Sequence, residues 1–126
     1  MEDFPAQDAP PLDVALAALD DCDVYVGIIG TRYGSSPPGQ ATSYTELEYD
    51  RASAQGLYRI ILISGAEPQP GEEDPTRMAA QIAFRAKLME NHMVDRFNSP
   101  DDLAWRVLAA LTVRDAQMRE QQQADE

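Results

Sequence analysis

Two continuous, β-rich apolar runs, Val24-Tyr25-Val26-Gly27-Ile28-Ile29 and Tyr58 to Ser64, flank a stretch that carries helical signals. Neither run alternates apolar with polar residues, so each predicts a strand covered on both faces, as in the parallel sheets of α/β domains. Between them, Ser43-Tyr44-Thr45-Glu46 has the spacing of a capping box, in which Ser43 accepts from the Glu46 amide while Glu46 reaches back. A helix from Tyr44 to about Gln55 follows, with Gly56 as its C-cap. Strand, helix and strand in this order close through a right-handed crossover.

The remaining segments fit the same plan. Residues 1–11, with Pro5, Pro10 and Pro11, predict an irregular arm, after which Leu12, Ala15, Leu16 and Leu19 form one stripe of an amphipathic helix. Gly65 to Asp74 is a long acidic loop and the segment expected to be most mobile. Asp74-Pro75 is an N-cap followed by proline at the first helical position, and Met78, Ala79, Ile82, Ala83, Ala86 and Met89 continue the helical stripe. Met93 to Phe97 reads as a short third strand, and Ser99-Pro100-Asp101-Asp102 starts a last helix. From Ala116 onward a Gln-rich polar sequence lacks a core pattern, which predicts one α/β domain over residues 1–115 and a frayed or disordered tail over 116–126. The expected fold is a doubly wound α/β layer with few strands.

Charge narrows the function. Ten basic residues against 22 acidic ones leave a net charge of −12, the wrong sign for phosphates on nucleic acid or an anionic membrane. No apolar run approaches the ~20 residues of a membrane span, and Met1-Glu2-Asp3-Phe4 lacks the basic and apolar regions of an export signal. A cytoplasmic location is expected. One cysteine, Cys22, and one histidine, His92, exclude an internal disulfide and leave almost no ligands for a metal, so no metal site and no resident cofactor are expected.

In doubly wound sheets ligands bind beyond the carboxyl ends of the strands, which here points first to the loop Gly30 to Ser43. Gly27, Gly30 and Gly34 do not have dinucleotide-fingerprint spacing, and no phosphate-loop Gly-Lys-Ser or Gly-Lys-Thr occurs. The candidate ligand-binding residues are Gly30, Arg32, Tyr33, Gly34, Ser43 and Thr45, on that loop and the first turn after it. Arg32 can fork onto a phosphate or carboxylate, or simply pair with Asp23 or Glu46. Tyr33 can stack on a base, or pack its ring at the domain edge with its hydroxyl wet. Glu48 lies about 200° around the helix from Glu46, on a face shared with Ala52 and Gln55, which suggests a cleft. A glutamate there suits glycosyl-transfer chemistry at an anomeric carbon; its ordinary alternative is an ion pair with Arg51. His92, Ser99 and a nearby Asp lack the nucleophile elbow of a triad, so His92 is expected to be structural.

Several stretches then fall into a familiar pattern. Glu2, Phe4, Ala6, Asp8 and Pro10-Pro11, Cys22 to Gly30, Arg32-Tyr-Gly, Ser43 to Ala52 with Gly56, and Phe97-x-Ser99-x-x-x-Leu103 together resemble a TIR-like domain of unknown function, the DUF family numbered four thousand and sixty-two. The resemblance covers about residues 1–112 and implies a flavodoxin- or TIR-like fold. Such domains stand N-terminal to NACHT, TPR or WD-repeat modules, which implies a signalling or protein-interaction role with like domains or NACHT-type proteins as partners. Distant relatives include TIR domains and nucleoside deoxyribosyltransferases, whose glutamate precedes an alanine by four residues and a glycine by eight. Glu48, Ala52 and Gly56 match that spacing, which implies a candidate catalytic Glu48 and NAD or a nucleoside as substrate. The family pattern begins with a further strand and helix, and this chain starts at the Met-Glu of a later motif. The resemblance therefore implies a shortened domain lacking its first strand and helix, with an exposed sheet edge. Three functions stand as expectations: an association module, an inactive fragment, and a glycosyl-cleaving enzyme.

Overall fold

Helix and strand alternate along the chain as the apolar periodicity requires: α1 (Leu12–Leu19), β1 (Val24–Ile29), α2 (Tyr44–Ala54), β2 (Tyr58–Ser64), α3 (Pro75–Asn91), β3 (Asp95–Phe97) and α4 (Pro100–Asp125). The structure, a computed structural model, describes residues 11–92 and 94–125. The predicted arm up to residue 10 and the start of the predicted third strand at Met93 lie outside the described residues.

The three strands form one parallel sheet in the order β1-β2-β3. Its register pairs Tyr25 with Arg59, Gly27 with Ile61 and Ile29 with Ile63, and successive side chains point to opposite faces. One face carries Tyr25, Ile29, Ile61 and Ile63, which pack with Tyr49 and Ala52 of α2, Phe84 and Leu88 of α3, and Leu19 of α1. Burial of these aliphatic and aromatic groups is the main force holding this layer together. On the second face Ile60 and Leu62 are buried, and α4 packs against β2 and β3, with the Arg114 guanidinium 4.4 Å from the centre of the Tyr58 ring. Helices on both faces of a parallel sheet make this an α/β parallel-sheet fold, as the uninterrupted apolar runs predict.

Among the described strands β1 lies at an edge of the sheet. Among the described residues no strand pairs with its outer side. On the second face its residues Val24 and Val26 are half-buried, and Ile28 is 48% exposed.

Local chemistry sets the helix ends. Ser43 Oγ accepts from the Glu46 amide at 3.1 Å, but the reciprocal half of the expected capping box is absent, because the Glu46 carboxylate is engaged elsewhere. At the other end of α2, Gly56 has φ +70°, its N–H reaches Ser53 O and that of Leu57 reaches Ala52 O, which is a Schellman cap. Asp74 accepts from the Arg77 amide at 2.9 Å with Pro75 at the first position of α3, and Ser99 accepts from the Asp102 amide at 3.1 Å. The segment from Ala116, expected to be a frayed or disordered tail, continues α4 as helix to Asp125. Its residues up to Ala124 are exposed, so it adds helix without adding core. No helix among the described residues is long and apolar enough to cross a membrane.

Candidate functional site

The loop after β1 begins with Gly30 and ends at Ser43, the cap of α2, so it lies at the carboxyl end of the sheet. It is held there by residues from the next crossover. Glu73 accepts from the Tyr33 amide at 2.5 Å and from the Gly34 amide at 3.0 Å, one carboxylate oxygen on each. Gly34 has φ +85°, a left-handed conformation that glycine adopts without the cost a side chain would bring. Arg77 donates to Gly34 O and to Ser36 Oγ, and Gln81 Nε2 donates to Gly30 O at 2.6 Å. The acidic loop 65–74, expected to be the most mobile segment, is therefore tied across the site, with Glu72 accepting from Thr31 Oγ1 at 3.2 Å as well.

The candidate residues separate into two groups. Gly30, Arg32, Tyr33 and Thr45 line one cavity with Gln81 and Phe84, but its volume is only about 40 Å³, room for a water or two. Arg32 and Gly34 also line a groove of about 460 Å³ with Ser35, Glu73, Asp74 and Arg77, the order of size of a small-ligand cleft. Arg32 is exposed and makes neither of the ion pairs considered for it, with Asp23 or with Glu46. Tyr33 departs from both of its expected roles. Its ring is buried and its hydroxyl donates to Glu46 Oε1 at 2.5 Å, so no face is open for stacking and no hydroxyl is left in water. Glu46 also accepts from Lys87 Nζ at 2.7 Å, which couples α2 to α3. Ser43 is buried and serves as the helix cap.

Glu48 lies one turn beyond Thr45 on α2, half-buried, and it forms no ion pair with Arg51, which instead makes a forked contact with Asp20 at 3.0 and 2.7 Å. Burial pushes the Glu48 carboxyl above its usual range. The cleft expected beside it is closed: Ala52 is fully buried in the core rather than lining an opening. Glu48 also faces Tyr25, whose hydroxyl is pushed up first by burial and then by the Glu48 charge, so it stays neutral. His92 is structural in its contacts. Its Nε2 lies 2.6 Å from the Tyr49 hydroxyl, and burial, with the Arg59 charge second, lowers its pKa.

Sequence reasoning missed Glu73, Arg77, Gln81 and Lys87. The stripe expected to bury α3 is misplaced: Ala79, Ile82, Ala83, Ala86 and Met89 are exposed and Met78 is half-buried, while the helix buries the face of Gln81, Phe84, Arg85 and Leu88, where Arg77, Gln81 and Arg85 recur every four residues.

A family model described as "Domain of unknown function (DUF4062)" matches residues 1–112. No curated protein and no solved structure matches the chain.

Proposed function

This chain belongs to the DUF4062 family of domains of unknown function, and from that premise we propose that it is a TIR-like signalling or interaction module that associates with like domains or with NACHT-type proteins. The open edge of β1, with Ile28 exposed beside it, carries this reading. An unpaired strand offers a row of N–H and C=O groups to another chain, and natural edges are usually blunted by lysine, proline or a bulge, none of which β1 has. Exposed apolar residues on α4, among them Trp105, Leu108, Leu111 and Val113, extend the surface available to a partner. Sedimentation velocity of the chain over a range of concentrations tests the reading. The expected outcome is a mass that rises with concentration, and loss of that rise in Ile28→Lys. A mass independent of concentration in the unaltered chain, with no binding to a NACHT-type protein, overturns it.

Two observations favour a second reading, an NAD or nucleoside glycosyl-cleaving enzyme. Glu48 is half-buried with its carboxyl desolvated, and Arg32, exposed at the carboxyl end of the sheet, has no ion-pair partner among the described residues. In this reading the closed face beside Glu48 opens so that Glu48 acts at the anomeric carbon while Arg32 holds a phosphate. Release of nicotinamide or a free base by the purified chain, lost in Glu48→Gln, supports it. No release, or full activity in the variant, removes it.

A further inference from the structure

Two of the three polar residues along the buried face of α3 hold the first loop: Arg77 binds Gly34 and Ser36, and Gln81 binds Gly30. Arg85 has a different setting. It is 3% exposed, its Nη2 donates to the carbonyl of Ser64 at 2.7 Å, and its Nη1 is buried without a hydrogen-bond partner among the described residues. A buried guanidinium with an idle donor is costly unless an anion completes it. Burial lowers its pKa, the nearby Glu67 opposes that, and the nearby Arg96 adds to it.

Arg85 lines a cavity of about 150 Å³ between the β2–α3 loop, α3 and β3. Glu67 and Pro68 come from the loop, Ile82, Ala86 and Met89 from α3, and Arg96 from β3. Two cations and an apolar wall thus meet at the carboxyl ends of β2 and β3, where parallel sheets take ligands. The one acid present is loosely held. Glu67 approaches Arg96 only to 3.8 Å and its side chain is 69% exposed, the kind of ion pair that contributes little.

We propose that this cavity is a carboxylate-binding site, in which Arg85 and Arg96 hold the carboxylate of a small molecule with an aliphatic stem, and in which Glu67 is the group displaced. The guanidinium fork matches a planar carboxylate, and Ile82, Ala86 and Met89 receive the stem. The site is independent of Arg32 and Glu48, which lie at the β1 side of the sheet.

Titration of the full chain with hexanoate, acetate and inorganic phosphate, followed by amide chemical shifts, tests the assignment. Hexanoate is expected to saturate at shifts centred on α3 and β3, about tenfold more tightly than acetate, the increment that about two buried methylenes supply. Arg96→Gln, at an exposed position that leaves the fold intact, is expected to weaken hexanoate about tenfold. Glu67→Gln is expected to tighten it severalfold by removing the competitor. The proposal is overturned if hexanoate shifts nothing, if acetate or phosphate binds as tightly, if Arg96→Gln binds as well as the unaltered chain, or if Glu67→Gln weakens binding.

Discussion

Glu48 and His92 are both partly withdrawn from water, and their desolvation acts on stability with opposite signs. Glu48 has a raised pKa in the folded chain, so folding binds its proton more tightly than the unfolded chain does. Its penalty is absent below the ordinary carboxyl value of 4.5 and grows as pH rises from there through the folded value. Glu48→Gln is therefore expected to be neutral or stabilising at pH 7 and to flatten the fall in stability above pH 4.5. His92 has a lowered pKa, so the unfolded chain takes up its proton first and stability falls as pH drops below 6.5. His92→Gln should remove that acid-side loss, read as thermal midpoints across a pH series. A third residue, Tyr33, joins loop to core through its hydroxyl on Glu46. Tyr33→Phe is expected to cost about 1 kcal/mol in urea unfolding, because Glu46 loses one of its two donors while keeping Lys87. None of these partners was legible beforehand. Glu46 reads as one half of a capping box from spacing alone, and only the packing of α3 and of the loop after β1 against α2 brings Lys87 and Tyr33 to it.

At the scale of the element, the signals that depend on neighbouring residues were the dependable ones. The runs Val24–Ile29 and Tyr58–Ser64 needed no tertiary information, since unbroken apolar sequence bounded by turn residues has few alternatives at that length. The caps at Ser43, Asp74 and Ser99 form from side chains three residues away from the amides they meet. Asp74→Ala is accordingly expected to cost about 1 kcal/mol, measured by denaturant unfolding. Gly56→Ala should cost a similar amount, about 1–2 kcal/mol, because φ +70° is unfavourable for any residue with a Cβ. The length of α4 was not legible because its last turns face water, and a core pattern is what marks a helix from sequence. Helix-favouring Ala, Gln, Met, Arg and Glu, with an Asp115–Arg119 ion pair at 2.9 Å, carry it on instead.

For the whole molecule, the parallel sheet was legible and the arrangement around it was not. Parallel orientation follows from strand–helix–strand alternation, whereas the order β1-β2-β3 is seen only in the structure, and the tie between loop 65–74 and loop 30–43 rests on Glu73 meeting amides 40 and 39 residues away. A net charge of −12 also acts at this scale. Copies of the chain repel one another at low ionic strength, so any self-association through β1 is expected to tighten as salt is added, the reverse of a contact between opposite charges. Sedimentation at two salt concentrations reads this directly. The sole tryptophan, Trp105, bears on how such a contact would be seen. It is 69% exposed on α4, so its indole emission is already close to that of a solvated ring, and unfolding changes its colour little. A partner that covers α4 would shift the same emission to the blue, so fluorescence from this chain reports docking far better than it reports denaturation.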